Sequence, residues 1–166
     1  MLAKHKIIAL KKLTYLFLFT LVLTISCSED HANLDEQVLQ NEKSTITADI
    51  LTLVNQHRQN KGLTVLKRNS TADKLAEDHN KYMIANDVVN HDFFDERASS
   101  LRKNEAAKGV GENVAWGYKD AEGVVNAWLD SPGHKANIEG DFTNSGISAL
   151  KDENGTYYFT HLFYKH

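Results

Sequence analysis

The sequence contains a single cysteine, Cys27, and a single proline, Pro132. One cysteine cannot close an intrachain disulfide, so whatever folds here must be held by packing alone. One proline and nine glycines leave no material for a Pro- or Gly-rich linker, and no internal repeat is visible. Acidic residues are missing from the first 27 positions. Four of the 19 basic residues (Lys4, Lys6, Lys11 and Lys12) lie there, so the remainder carries 15 basic against 22 acidic residues. A surface that acidic repels a phosphate backbone, which argues against nucleic acid as a partner and weakly favours divalent or organic cations. Also missing is an apolar run of bilayer-spanning length. Leu13–Ile25 has 13 residues, where about 20 are needed. With 166 residues and a hydrophobic share of 42%, the chain is expected to form one domain with an ordinary core.

What is present at the amino end reads as an export signal: a basic stretch, the uncharged run Leu13–Ile25, then Ser26 and Cys27. Leu23–Cys27 resembles a bacterial lipobox, with Thr24 and Ile25 where that pattern usually has Leu and a small residue. Lipidation of Cys27 is expected, because an unpaired cysteine in an exported chain otherwise lacks a purpose. The alternatives are an ordinary cleaved signal with an incidental cysteine and an uncleaved anchor. Ser28-Glu29-Asp30 also resembles the acidic surface-export tag of some Bacteroidetes lipoproteins. The expected organisation is a lipoprotein signal peptide over 1–27, a polar tether over 28–44 with room for a low-amplitude helix, and a folded domain over 45–166. The expected location is the cell envelope, at the bacterial outer membrane or cell surface, with membrane contact through the lipid anchor.

From Thr45 the apolar pattern becomes periodic. Thr47 is expected to cap a helix that aligns Ile50, Leu53, Val54 and His57 and stops at Gly62. Leu63–Leu66 reads as an extended link. Ser70 with Asp73 opens a second helix striped by Leu75, Ala76, His79, Tyr82 and Met83. Phe94–Leu101 predicts a short third helix and Glu112–Trp116 a strand. Asp120 caps a fourth helix with Val124, Val125, Trp128 and Leu129 inward, stopped by Pro132. Gly146–Lys151 and Thr156–Lys165 pair as strands about Asn154-Gly155. The last strand is apolar on both faces and is expected to be covered on both. The predicted fold class is α+β, a three-layer α-β-α sandwich with a small sheet.

Three segments place ionisable groups at element junctions: Asn90-His91-Asp92-Phe93, Val110–Ala115 around Glu112, and Trp128–Ile138 around His134. Loops on a rigid scaffold are where sites are commonly built. In order along the chain, these segments and others resemble the CAP superfamily of cysteine-rich secretory proteins, insect venom antigens and plant pathogenesis-related proteins. Asn55 and Arg58 match the opening Asn-x-x-Arg. Gly-Glu-Asn-Val-Ala at 111–115 and Ser-Pro-Gly-His-x-Ala-Asn-Ile at 131–138 are similar to the bacterial form. Tyr157–Phe163 resembles the closing aromatic strand. The resemblance covers about 120 residues; it implies the CAP sandwich with a mainly antiparallel sheet, and a cleft with two histidines and two acids.

The resemblance carries His91, Glu112 and His134 onto three of those positions. Ser131 stands at the fourth, leaving the tetrad incomplete, and His161, in place of the usual Gln, is a candidate third imidazole for the cleft wall. Other readings stand beside these. Glu112 reads equally well as a structural acid of the Gly-rich turn, Asn113 as a hydrogen-bonding staple, and His57 and His79 as core or boundary residues. The functional reading is a binding module for a divalent metal, a small ligand, a lipid or an envelope component. Zinc held by His91, His134 and Glu112 is the candidate cofactor. A metal-assisted hydrolase of peptide or cell-wall bonds and an envelope scaffold or adhesion domain are the alternatives.

Overall fold

The last strand, expected to be covered on both faces, organises the domain. The computed structural model describes residues 28–166, and the expected signal peptide with Cys27 lies outside the described residues. Strand β4 (Tyr157–Lys165) has every residue from 158 to 164 buried. It lies between β3 (Asn144–Lys151) and β2 (Gly109–Trp116), antiparallel to each. Two residues, β1 (Lys67–Arg68), extend β3 in parallel, giving the order β1-β3-β4-β2. The architecture is mixed α+β with a small, mainly antiparallel four-stranded sheet.

Alternation along β4 divides the core in two. Phe159 and Phe163 pack with Ile147, Ala115 and helices α1 (Ser28–Asn60), α4 (Ala121–Asp130) and α5 (Pro132–Ile138). Leu162 and Tyr164 pack beneath α2 (Ser70–Asn86) and α3 (Phe94–Glu105). Period-two alternation thus feeds two apolar layers from one strand. On the α2 side the buried pair Thr160 and Asn80 is hydrogen bonded at 2.6 Å, and Asn80 Nδ2 donates to the Tyr158 carbonyl at 3.0 Å. Gly146 lets α2 lie directly on β3. A Cβ there would stand 2.1 Å from the backbone carbon of Ala72.

Several boundaries differ from the sequence expectation. The helix expected from Thr47 runs unbroken from Ser28, so the polar stretch 28–44 is helical and continuous with the domain's first element. Leu34, Val38 and Leu39 on that stretch are exposed. Helix α2 is capped by Asn69, whose side chain accepts from Ala72 N at 2.8 Å. Asp73, expected in a capping box, instead accepts from Arg68 Nε and from Ile147 N at 2.8 Å, fastening β3 to the helix. Asp120 caps α4 as expected. Pro132 both stops α4 and starts α5. It leaves Ser131 extended at ψ 118° and occupies a first-turn position where a missing N–H costs nothing.

Near the carboxyl end of α1, Arg58 is buried and bonds backbone rather than a carboxylate. Its guanidinium donates to four carbonyls: Thr64 at 2.7 Å, Ile138 at 2.6 Å, and Gly140 and Phe142 at 2.9 Å each. The planar fork fits this use, because five fixed donors face several acceptors at once. Burial lowers its pKa, partly offset by nearby Asp141.

Trp128 is the largest fully buried side chain, and its Nε1 donates to the Val114 carbonyl at 3.2 Å. Trp128→Ala removes that volume and the bond together, at a cost of about 3–5 kcal/mol. The thermal midpoint is expected to fall by roughly 10 °C or more. Cooperative melting near the wild-type temperature would show that this face is not core.

Candidate functional site

The site forms where α3, β2, α5 and the loop after α2 meet. Glu112 points from β2 to the α2–α3 face and is buried. Its two oxygens are gripped by Arg97, with Nε to Oε2 at 2.7 Å and Nη2 to Oε1 at 2.8 Å. His91 Nδ1 reaches Oε1 at 2.8 Å. Arg97 Nη1 also donates to the Asp92 carbonyl at 2.7 Å, tying the His91 loop to α3. Burial pushes the Glu112 carboxyl up. The hydrogen bonds from His91 and Arg97, with the Arg97 charge, outweigh it and hold the group below the usual carboxylate range. With Glu112 ionised, Nδ1 of His91 is the proton donor and Nε2 is the ring's remaining nitrogen. The His91 side chain is half exposed.

His134 sits on α5, in its first turn rather than in a loop. Burial lowers its pKa, and its nearness to His91 lowers it further. Its backbone is fixed by Asn113, whose Nδ2 donates to the His134 carbonyl at 3.0 Å, while Asn113 Oδ1 accepts from Asn137 Nδ2 at 2.9 Å. Asn137 Nδ2 also donates to the Glu112 carbonyl at 3.0 Å. A Cβ on Gly111 would lie 2.8 Å from Asn137 Oδ1, so the glycine lets α5 close on β2. His134, Ser131 and Trp128 line a groove of about 380 Å3 together with Trp116 and Tyr118.

Of the residues expected in the cleft, the structure joins His91 directly to Glu112 and sets His134 nearby. His161 is elsewhere. It lies on the opposite face of β4, fully buried, stacked on Phe163 at 3.9 Å and 5.9 Å from Trp128. The alternation that sends Glu112 to one layer sends residue 161 to the other. Zinc held jointly by His91, Glu112 and His134 does not fit this arrangement. The Arg97 guanidinium already supplies the positive charge that Glu112 faces, and among the described residues no group of three or more His, Cys, Asp or Glu is placed to hold a metal ion.

Arg97 was not singled out in the sequence. The signal was there: it stands on the Phe94–Ala98–Leu101 stripe, where a charge needs a partner. His79 is buried as expected for a core residue and bonds the Asn90 carbonyl at 2.9 Å, steadying the loop that carries His91. Its pKa is lowered, chiefly by burial. His57 is a boundary residue paired with Glu139 at 2.8 Å.

His161 supplies a pH test. Neither ring nitrogen has a hydrogen-bond partner among the described residues. Burial, then the Arg68 and Arg58 charges, push its pKa down to about 3. An unfolded imidazole titrates near 6.5. Below that pH the unfolded chain therefore binds a proton that the folded one refuses, and stability falls from about pH 6.5 until the folded value is reached. Between pH 7 and 4.5 this one group should remove about 2–3 kcal/mol. His161→Leu should lose that component. Urea midpoints of the two proteins, compared at both pH values, should diverge on acidification. A constant difference would mean that the ring is not a buried neutral base.

Residues 51–163 match the model of CAP, described as the cysteine-rich secretory protein family. Two Bacillus subtilis relatives are similar. The chain is 31% identical to "Uncharacterized protein YkwD" over 111 residues, covering 61% of this chain and 41% of that one. It is 30% identical to "Uncharacterized membrane protein YlbC" over 130 residues, covering 74% and 35%. The chain thus spans about two-fifths or less of these relatives' length. Among solved structures, an outer surface protein from Borrelia burgdorferi superposes with TM-score 0.67 at 24% identity, over 74% of this chain and 93% of that one. An extracellular protein containing a SCP domain from Bacillus anthracis superposes with TM-score 0.68 at 23% identity, over 77% and 43%.

Proposed function

Because the chain belongs to the cysteine-rich secretory protein family, we propose that it is an exported protein, lipid-anchored through Cys27, that acts as a binding module. The ligand site is the groove beside His91, Glu112 and His134. One observation carries the reading: the buried carboxylate of the cluster is neutralised by the Arg97 guanidinium and accepts three hydrogen bonds, two from Arg97 and one from His91, which hold it in the ionised form. A general base needs contact with water and a pKa near the working pH, whereas this carboxyl is buried and held below the usual carboxylate range. Glu112 serves instead to fix the tautomer and orientation of His91, as a carboxylate behind an imidazole commonly does. What faces ligand is then the His134 imidazole in an aromatic groove, with the half-exposed His91 near it, a set suited to hydrogen bonding and packing.

Export is supported by the basic, apolar leader ending at Cys27, and it agrees with the surface or extracellular names of the similar structures. A diacyl lipid with a further N-terminal acyl chain supplies the two signals that stable attachment needs. Cys27→Ala should move the protein from the membrane pellet to the soluble fraction after salt washing. Retention in the pellet would rule the lipid anchor out.

The binding reading predicts a specific spectroscopic result. Size-fractionated soluble envelope fragments should shift the imidazole resonances of His91 and His134, leave those of His57 and His161 in place, and emerge uncleaved. Release of product that Glu112→Gln abolishes would establish the hydrolase instead. Unmoved His91 and His134 signals across all fractions would remove the groove as a ligand site.

A further inference from the structure

We propose that the ligand taken by this groove is an uncharged sugar ring of an oligosaccharide, stacked on Trp116 and Tyr118 and hydrogen bonded through Ser131 and His134; this rests on the groove being the binding site. Large apolar side chains are costly to leave in water, and two aromatic ones lie open at this place. Trp116 is 52% exposed and Tyr118 38% exposed, and both line the groove.

Both rings are supported from behind. Trp116 is the last residue of β2 and meets the Tyr158 ring edge-on at 6.4 Å and 64°. Gly117, at φ 85°, turns the chain away immediately afterwards, and its N–H bonds the Tyr157 carbonyl at 2.9 Å. Tyr118 lies over the first turn of α4, where a Cβ on Gly123 would stand 3.6 Å from its Cδ1. Aromatic faces held this way are already ordered before a ligand arrives, which lowers the entropy cost of binding.

The lining selects the chemistry. No Asp, Glu, Lys or Arg is among the described residues that line the groove, so a charged ligand would lose its hydration there without a counter-charge. The Ser131 hydroxyl and the His134 imidazole, whose charged form burial disfavours, would be left unpaired by a purely hydrocarbon chain. An extended peptide added as a strand is disfavoured at β2. The Glu112 and Val114 carbonyls on that edge strand already accept from Asn137 and Trp128. A pyranose meets all these conditions, with a C–H face for the aromatic rings and a hydroxyl rim for Ser131 and His134. The groove's volume of about 380 Å3 is at the small end of the ~300–1,000 Å3 typical of ligand sites, so one or two rings of a longer strand would be held.

The test uses the full chain in a zwitterionic detergent with three probes: tri-N-acetylglucosamine, maltotriose and trigalacturonate. Trp116 is the exposed one of the protein's two tryptophans, so acrylamide quenching reports on it. At least one neutral trisaccharide should shield Trp116 from acrylamide and bind at least about tenfold more tightly than trigalacturonate. Trp116→Ala and Tyr118→Ala, with binding read by titration calorimetry because the first removes the reporter, should each weaken that binding by about tenfold or more while melting stays cooperative. Affinity unaffected by either substitution, equal or tighter binding of trigalacturonate, or no neutral sugar bound at millimolar concentration would overturn the proposal. Shifts of His91 and His134 by envelope fragments, with the neutral sugars inert, would overturn the sugar assignment and leave the groove a binding site. Absence of those shifts would defeat both.

Discussion

Two opposite charges, Arg97 and Glu112, are withdrawn from water together, and the site is assembled around that withdrawal. Desolvating either alone would cost several kcal/mol, so each is tolerable only while the other is in place. The geometry is the bidentate fork that makes such pairs stable, and each partner has one further bond: Arg97 donates to the Asp92 carbonyl, and Glu112 accepts from His91. Three consecutive pieces of chain, namely the loop after α2, helix α3 and strand β2, are therefore held together by one ion pair. The exposed imidazole of His91 inherits its orientation from a carboxylate that never meets solvent.

The other side of the site is set by amides. Asn113 and Asn137 bond each other and also the backbones of α5 and β2, fixing helix to strand through neutral groups that do not depend on pH. Asn69 and Asn80 act similarly on α2. In a domain whose described part, 28–166, contains no cysteine, these buried bonds, each modest in net free energy, supply the directional restraint that apolar packing lacks.

Much of the fold was legible because its signals are local. Period-two alternation with bulk on both sides identified β4 as an interior strand, and Asp120 announced α4. The candidate residues His91, Glu112 and His134 were found at junctions and by family resemblance, and the first two indeed touch. What escaped depended on contacts made at a distance. Arg97 stands on the inward stripe of α3, but nothing local to that helix names Glu112 as its partner. Pro132 reads as a stop, and that it also begins α5 depends on the packing of Ile138 in the core and Asn137 against β2. His161 was expected at the cleft wall because it stands where the family's closing strand usually has Gln. A strand has two faces, however, and the register with Asn113 assigns position 161 to the face away from Glu112. The polar stretch 28–44 shows little apolar periodicity, yet it is helical in continuity with the packed turns that follow.

That continuity gives the molecule a mechanical character. Helix α1 is a single rod about 50 Å long at 1.5 Å per residue, joined at its far end by Arg58 to the backbone carbonyls of residues 64, 138, 140 and 142. A pull on the amino end would not be absorbed by slack chain. It would travel along the helix axis into the buried contacts of Ile46, Ile50 and Val54, with the four bonds of Arg58 beyond them.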